Sequence, residues 1–184
     1  MEMLWQSLSC THYRGDQHTH ILIQETDVSA KLKNVKLQAP NGDWFSFSPD
    51  AGRGKAALMS PLLATGKDHK HHRACDSVVL ICRDGAVRVL YIDLKSGNPV
   101  GYEGQFKSTR QFVRYALGLL EEFHGQPLTI AEERYVILHG GHAPLLNKQP
   151  TVPAAGKIGR TLPGNPYKKL IPNGATLFLK EFLA

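Results

Sequence analysis

Residues 75–96 read CDSVVLICRDGAVRVLYIDLKS, and this stretch decides the fold that we expect for the chain. Two apolar runs, at 76–82 and 86–94, flank the dipeptide Asp84-Gly85. An Asp-Gly pair between two runs of β-forming residues is a strong signal for a tight hairpin. The stretch therefore predicts two antiparallel strands that are joined by a two-residue turn.

The position of this turn decides which residues face each other across the hairpin. Around a two-residue turn at 84–85, paired residues have numbers that sum to 169, so Asp76 lies opposite Asp93. Because side chains alternate between the faces of a strand, Asp76, Asp93 and Lys95 share one face. Like charges in directly opposed positions are destabilising, so we expect a divalent cation between the two carboxylates. A one-residue slip in the pairing would separate them.

The residues that follow the hairpin predict a helix and a further strand. The run at 86–94 is apolar on both of its faces, which is typical of a central strand in a sheet covered on both sides. Apolar residues recur at helical spacing over 105–124, and Gly125 and Pro127 end that run. Residues 134–139 (RYVILH) indicate another strand, and a strand–helix–strand unit of this length favours parallel pairing. The fold class that follows is α/β.

The N-terminal third predicts shorter strands. Residues 18–25 (HTHILIQE) alternate weakly and indicate one strand. Two short β-forming runs, at 35–37 and 44–47, flank the Pro-Asn-Gly-Asp stretch at 40–43. Because Asn-Gly is a turn signal, we expect these two runs to pair as a second hairpin.

A chain of 184 residues is of a size that suits one domain. We expect a single domain over 1–184 with its core at about 18–139. Residues 140–184 form a basic extension rich in proline and glycine, whose apolar end at 175–183 is expected to pack back on the core.

Composition and charge narrow the choice of partner and compartment. Twenty-two Lys and Arg residues against sixteen Asp and Glu residues give a net charge of +6, which favours a polyanionic partner such as nucleic acid. The number of cysteines, three, is small and odd, which argues against a disulfide framework. We therefore expect a reducing, cytoplasmic compartment. No apolar run approaches the length of a membrane span, and no membrane partner is expected.

The order of the charged residues carries a resemblance to a known family. Asp76 is followed by Asp93-x-Lys95 and then by a predicted helix that starts near Gln105. This pattern resembles the PD-(D/E)xK nuclease superfamily, over about residues 74–115. The resemblance implies a restriction-endonuclease-like fold, which is a central mixed β-sheet flanked by helices.

The chain departs from the family pattern at two positions. Cys75 stands where the family usually has proline before the first acid, and the second acid is Asp93 where glutamate is commoner. Neither difference removes a side-chain oxygen that a metal ion needs.

The resemblance also implies a metal site and a reaction. Asp76, Asp93 and the backbone carbonyl of Leu94 are expected to bind Mg²⁺ or Mn²⁺ through oxygen. Lys95 is expected to orient or deprotonate the attacking water, and Gln105 to contact the site from the start of the helix. An ion cluster of the two acids with Lys95 that has no catalytic role is the alternative reading.

Many members of the superfamily use a further glutamate from an earlier helix. Glu25 is the candidate here, although its surroundings indicate a strand. The histidines near Cys75, His71 and His72, lack the spacing of a closed zinc site, so we expect them to be loop residues.

Two basic segments are expected to contact phosphates. One is the glycine-bearing loop at 49–72, which leads into Asp76, and the other is a ridge of arginines four residues apart on the predicted helix. The candidate nucleic-acid contacts are Arg53, Lys55, Lys70, Arg73, Arg110 and Arg114.

These observations predict a metal-dependent endonuclease that hydrolyses the phosphodiester bonds of DNA. The sequence leaves two alternatives open, namely a catalytically inactive nucleic-acid-binding subunit of a larger complex on the same fold, and an RNA nuclease. Because 184 residues leave little room for a separate recognition domain, we expect a homodimer or a partner protein.

Overall fold

Two β-sheets and one long helix make up the computed structural model, which describes residues 2–53, 56–66, 68–83, 85–97, 99–140 and 161–183. In chain order the elements are α1 (Glu2–Ser7), β1 (Thr11–Arg14), β2 (His20–Gln24), β3 (Asn34–Gln38), β4 (Trp44–Phe47), α2 (Pro49–Gly52), β5 (Ser77–Arg83), β6 (Ala86–Lys95), α3 (Tyr102–His124), β7 (Thr129–Gly140), β8 (Tyr167–Ile171), β9 (Ala175–Phe178) and a 3-10 helix (Leu179–Phe182).

The larger sheet has six strands in the order β1-β4-β5-β6-β7-β8. Its first half is antiparallel, from β1 through β4 and β5 to β6, whereas β6, β7 and β8 run parallel. The predicted α/β class with a mixed sheet is therefore confirmed, and so is the parallel pairing of the strands before and after the long helix. The restriction-endonuclease-like assignment stays a prediction.

The central hairpin has the register that the sequence predicts. Ser77 pairs with Ile92 and Arg83 pairs with Ala86, and both pairs sum to 169. Gly85 has a φ of 76°, a left-handed conformation that glycine adopts without steric cost. Gly85 therefore fits the backbone conformation that the hairpin turn requires.

Both faces of β6 are covered, as its double apolar pattern predicts. On one face Leu90, Ile92 and Leu94 pack against the three-stranded sheet, whose strand order is β2-β3-β9. On the other face Val89 and Tyr91 pack beneath α3. The six-stranded sheet thus lies between a helical layer and a smaller sheet, which places β6 at the centre of the fold.

Helix α3 begins at Tyr102, three residues before the predicted start, and ends as predicted at His124. Gly125 adopts a left-handed conformation with a φ of 59° and donates its N–H to the carbonyl of Glu121 at 3.0 Å. This is a common way for a helix to end, because glycine accepts that conformation readily. No helix among the described residues is long and apolar enough to cross a membrane.

The predicted second hairpin is wrong. Strand β3 pairs with β2 and β9 in the small sheet, whereas β4 pairs with β1 and β5 in the large one. Residues 40–43 therefore carry the chain from one sheet to the other, and Trp44 anchors this crossing by donating its indole N–H to the Pro40 carbonyl at 2.7 Å. The strand predicted at 18–25 is present as β2.

Both ends of the chain pack against the central strands. Leu4 of α1 is buried in the cluster beneath α3. The apolar C-terminal run forms β9 and the 3-10 helix. Its residues Leu177, Leu179 and Phe182 are buried in the same cluster as Leu90 and Ile92 of β6. Strand β8 is the outer strand of the six-stranded sheet, next to β7.

Two glycine substitutions test whether the turn conformation holds the hairpin register. A methyl group added at Gly85 or at Gly118 would have no heavy atom within 4 Å, so neither change creates a clash. Gly85→Ala forces alanine into a left-handed conformation and should lower the free energy of unfolding by roughly 1–2 kcal/mol. Gly118→Ala, inside α3, should raise it by about 0.5–1 kcal/mol. Urea unfolding measures both, and changes of the same sign would contradict this account.

Candidate active site

The two predicted acids lie on the same face of the six-stranded sheet, beneath the first turns of α3. Asp76 continues the side of β5 that carries Val78 and Leu80, and Asp93 continues the side of β6 that carries Tyr91. Both are buried, since Asp76 is 8% exposed and Asp93 is 0% exposed. The register of the hairpin therefore brings together two carboxylates that sixteen intervening residues separate in the chain.

The β5–β6 ladder ends at this point, and its end shapes the site. Ser77 and Ile92 form the last pair, after which Cys75 donates its N–H to Thr109 Oγ1 at 3.1 Å instead of to the facing strand. The Leu94 N–H donates to the Asp76 carboxylate. Because the N–H and C=O of a strand residue point the same way, the Leu94 carbonyl also faces β5, beside Asp76.

Lys95 and Gln105 extend the site toward α3. Lys95 Nζ lies 2.7 Å from Asp93 Oδ2 and donates to Gln105 Oε1 at 2.9 Å. Gln105 Nε2 in turn donates to the Ala74 carbonyl at 3.0 Å. The chain of contacts ties the sheet, the helix and the segment before Asp76 together, and it fixes the position of the Lys95 ammonium group.

Burial and mutual repulsion make the two carboxylates reluctant to ionise together. Burial raises the pKa of Asp76 well above its ordinary value, and the negative charge of Asp93 raises it further. Burial also raises the pKa of Asp93 to about 6, although the ion pair with Lys95 opposes that rise. If both acids ionised, the site would carry more negative charge than the one lysine can balance.

The oxygen atoms of this site fit a small divalent cation. Asp93 Oδ1 is buried and accepts no hydrogen bond from the described residues. Oδ2 forms the ion pair with Lys95, but the approach of the amine lacks hydrogen-bond geometry. Within the described part of the chain, no group of three or more His, Cys, Asp or Glu residues is arranged to bind a metal. Two carboxylates, completed by carbonyl, water or phosphate oxygens, are nevertheless a usual ligand set for Mg²⁺.

Glu25 acts on the site through its charge. It follows β2, is half-buried, and raises the pKa of both Asp76 and Asp93. One of its oxygens, Oε1, accepts the Asp27 N–H at 2.9 Å. Asp50 also raises the pKa of Asp93, but its own carboxylate pairs with Arg53.

The predicted phosphate-binding residues occupy different environments. Lys70 and Arg73 are exposed and pack against the first turn of α3. Arg53 is 14% exposed and is held by the carboxylate of Asp50 and by loop carbonyls, which places its guanidinium in the scaffold of the loop. Lys55 lies outside the described residues.

The two helix arginines turn toward the sheet. Arg114 pairs with Glu133 of β7 at 2.9 Å. Arg110 is half-buried beside Tyr135, where burial raises the pKa of the tyrosine hydroxyl to about 12 and Arg110 partly offsets that rise. The ridge predicted from their spacing is thus partly used in contacts within the protein.

Two hydroxyl groups support the site although the sequence analysis gave them no role there. Ser48 Oγ donates to the Asp76 carbonyl at 2.7 Å, and Thr109 Oγ1 accepts the Cys75 N–H. Thr109 is fully buried. Its position as a hydroxyl residue on the apolar face of the predicted helix is the sequence feature that could have indicated its role in the site. His71 and His72 both contact the Ala64 carbonyl through Nε2, as loop residues do.

No protein-family model, curated protein or solved structure matches this chain.

The raised pKa of Asp93 makes the stability of the protein depend on pH in a definite direction. The folded-state pKa of about 6 exceeds the value of about 3.9 in an unfolded chain, so the folded state holds this proton more tightly. The contribution of Asp93 to the free energy of unfolding is therefore largest below pH 4, and it is lost as pH rises through 6. Asparagine does not titrate, so the free energy of unfolding of Asp93→Asn does not fall in this way. From pH 4 to pH 8, the difference in free energy of unfolding between Asp93→Asn and wild type should therefore shift by on the order of 2 kcal/mol in favour of the variant.

Urea unfolding in the presence of a chelator measures this difference at the two pH values. The control is Asp43→Asn, which removes an exposed carboxylate outside the site. A stability difference between Asp93→Asn and wild type that stays constant from pH 4 to pH 8 would contradict the assignment of a raised pKa to Asp93.

Proposed function

We propose that the protein is a metal-dependent endonuclease that hydrolyses phosphodiester bonds of DNA. The observation that carries the proposal is the pair of buried carboxylates, Asp76 and Asp93, which share one face of the sheet with Lys95 beside them. Uncompensated buried charge is costly, so a site of this kind calls for a positively charged ligand.

The carboxylates of Asp76 and Asp93 and the carbonyl of Leu94 are the groups that would hold Mg²⁺ or Mn²⁺. When bound, such an ion polarises a phosphate and lowers the pKa of a water molecule. The ammonium group of Lys95 is placed to donate hydrogen bonds to a water or to a phosphate oxygen on which negative charge develops. Gln105 is a positioning residue, because it holds Lys95 through Oε1 and the Ala74 carbonyl through Nε2.

The net charge of +6 supports a nucleic-acid substrate. The three cysteines are free thiols, which supports a reducing compartment and hence a cytoplasmic location. A homodimer, or a complex with a partner protein, would supply further surface for recognition of the substrate.

The second candidate is a nucleic-acid-binding subunit on the same fold that does not cut. It is favoured by the ion pair between Lys95 and Asp93, which already satisfies part of the negative charge in the site. RNA is the alternative substrate for either candidate, because the phosphate chemistry is the same. Cleavage assays on plasmid DNA and on a labelled RNA separate these possibilities.

Loss of cleavage in Asp93→Ala is the first test of the proposal. Wild type should nick plasmid DNA in Mg²⁺ or Mn²⁺ and should be inactive in a chelator. Asp93→Ala should cut more than about a hundredfold more slowly, since even the outer-shell partners of a bound metal are worth about 10–100-fold. Glu121→Gln, an exposed change on α3, is the control that should cut at the wild-type rate. Equal cleavage by Asp93→Ala and wild type would reject the assignment.

Stabilisation by the metal tests the site without any readout of activity. At pH 8, Mg²⁺ at ten times its dissociation constant should raise the free energy of unfolding of wild type by about 1.4 kcal/mol. The same Mg²⁺ should leave Asp93→Asn unchanged, because one of the two carboxylate ligands is gone. Potassium chloride at matched ionic strength controls for screening. Equal stabilisation of both proteins would place the ion elsewhere.

A further inference from the structure

A cavity of about 1050 Å³ lies beside α3, on the outer side of its first half. The loop that contains Leu62 and Arg73 forms one wall, and the segment before the helix, with Val100, forms another. This volume is close to the top of the range of about 300–1,000 Å³ that small-molecule sites span. The cavity is therefore large enough for a ligand that consists of several linked groups.

The walls of this cavity are apolar and aromatic, and much of that surface meets solvent. Three rings line the cavity, with Tyr102 at the start of α3 and with Phe112 and Tyr115 near the middle of the helix. Tyr115 is 63% exposed and Leu62 is 93% exposed. Tyr115 therefore presents an exposed ring, whereas Tyr102 and Phe112 are half-buried, and an exposed apolar patch of this kind marks a surface that receives a ligand.

The rim of the cavity is positively charged. Lys70, Arg73 and Lys107 line it, and Glu103 is the one carboxylate among its described lining residues. Glu103 pairs with Lys107 at 2.6 Å and also interacts with the charge of Lys70, so one carboxylate faces three cations and the rim keeps a positive excess. Apolar rings beside an excess of positive charge match a ligand that carries flat apolar groups on a chain of negative charges.

The cavity and the acid pair share one short segment and one turn of helix. Arg73 lines the cavity, and the next residue, Ala74, accepts the Gln105 side chain within the site. Gly104 lines the cavity and directly precedes Gln105. A Cβ at Gly104 would lie 3.3 Å from Lys70 Cβ and 3.7 Å from Arg73 Cδ, so both cations sit directly against the helix.

We propose that this cavity binds an unpaired strand of nucleic acid, with bases stacked on Tyr115 and its neighbouring rings and phosphates held by Lys70 and Arg73. The inference rests on the proposed nuclease function and names the form of the substrate. The bases of a duplex are already stacked and paired, so they offer no free faces to exposed rings. An unpaired strand offers both base faces and phosphates, and base–aromatic stacking stabilises such complexes without regard to sequence.

Fluorescence anisotropy with labelled oligonucleotides tests this inference in a chelator, where no cleavage is expected. The probes are 12-nucleotide oligothymidine, 12-nucleotide oligouridine and a 12-base-pair DNA duplex. Wild type should bind the single strands more tightly than the duplex. The two single strands distinguish DNA from RNA as the source of the bound strand.

Variants of one helix separate stacking from general effects. Tyr115→Ala should weaken single-strand binding at least about fivefold, the low end of what one stacked base contributes. Tyr115→Phe keeps the ring and should bind like wild type. Phe123→Ala is the matched control, since Phe123 is 73% exposed on the last turn of α3 and lies outside this cavity. Lys70→Gln should reduce the slope of log affinity against log salt by about 0.7.

The outcomes distinguish this inference from the proposed function. Unchanged single-strand binding in Tyr115→Ala, or tighter binding of the duplex, overturns the cavity assignment even if plasmid cleavage depends on Asp93. Tyr115-dependent binding of single strands by a protein that cuts no nucleic acid supports the cavity assignment and rejects the nuclease. Absence of binding to all three probes overturns the cavity assignment, whereas the nuclease proposal is decided by cleavage of plasmid DNA in Mg²⁺.

Discussion

The pairing register of β5 and β6 is the constraint on which the site depends. Asp76 and Asp93 face each other only because Ser77 pairs with Ile92, and a shift of one residue would turn one acid toward the small sheet. The register is specified twice, by the turn at Gly85 and by burial on both faces of β6. A slip would move an entire apolar set to the wrong layer, so the packing of the core also fixes the geometry of the acids.

The same packing raises the free-energy cost of ionising Asp76 and Asp93. The α3 face supplies a dry environment in which both carboxylates lose most of their hydration, and the charge of Asp93 raises the cost of ionising Asp76. Lys95 and the Leu94 N–H offset part of that cost. This cost is concentrated where the ladder ends, where the Leu94 N–H binds Asp76 and the Leu94 carbonyl lies beside the acids. Stability given up at one point in this way is common at functional sites.

Local signals predicted this region well and the rest of the chain less well. The hairpin, its register, the long helix and the parallel strand after it follow from turn chemistry and periodicity within about sixty residues. The small sheet joins β2 and β3 to β9, which lies more than 130 residues later, and no local pattern encodes that pairing. The Asn-Gly signal at 41–42 marked a change of direction correctly, but such a signal does not specify which strand receives the chain. The hydroxyl of Ser48 supports Asp76 through a contact between segments 28 residues apart.

Segment 73–76 explains why the acid pair and the cavity belong together. Its four residues alternate in role, since Arg73 faces the cavity, the Ala74 carbonyl binds Gln105, the Cys75 N–H binds Thr109 and Asp76 enters the site. Three of these contacts are made with α3 or β6, so the segment is clamped rather than free to move on its own. A ligand that presses on Arg73 from the cavity therefore acts within four residues of Asp76, through a backbone held at each step. Covalent geometry therefore couples the position of Arg73 to that of Asp76, and the turn of α3 at Gly104 and Gln105 forms a second connection between the cavity and the acid pair.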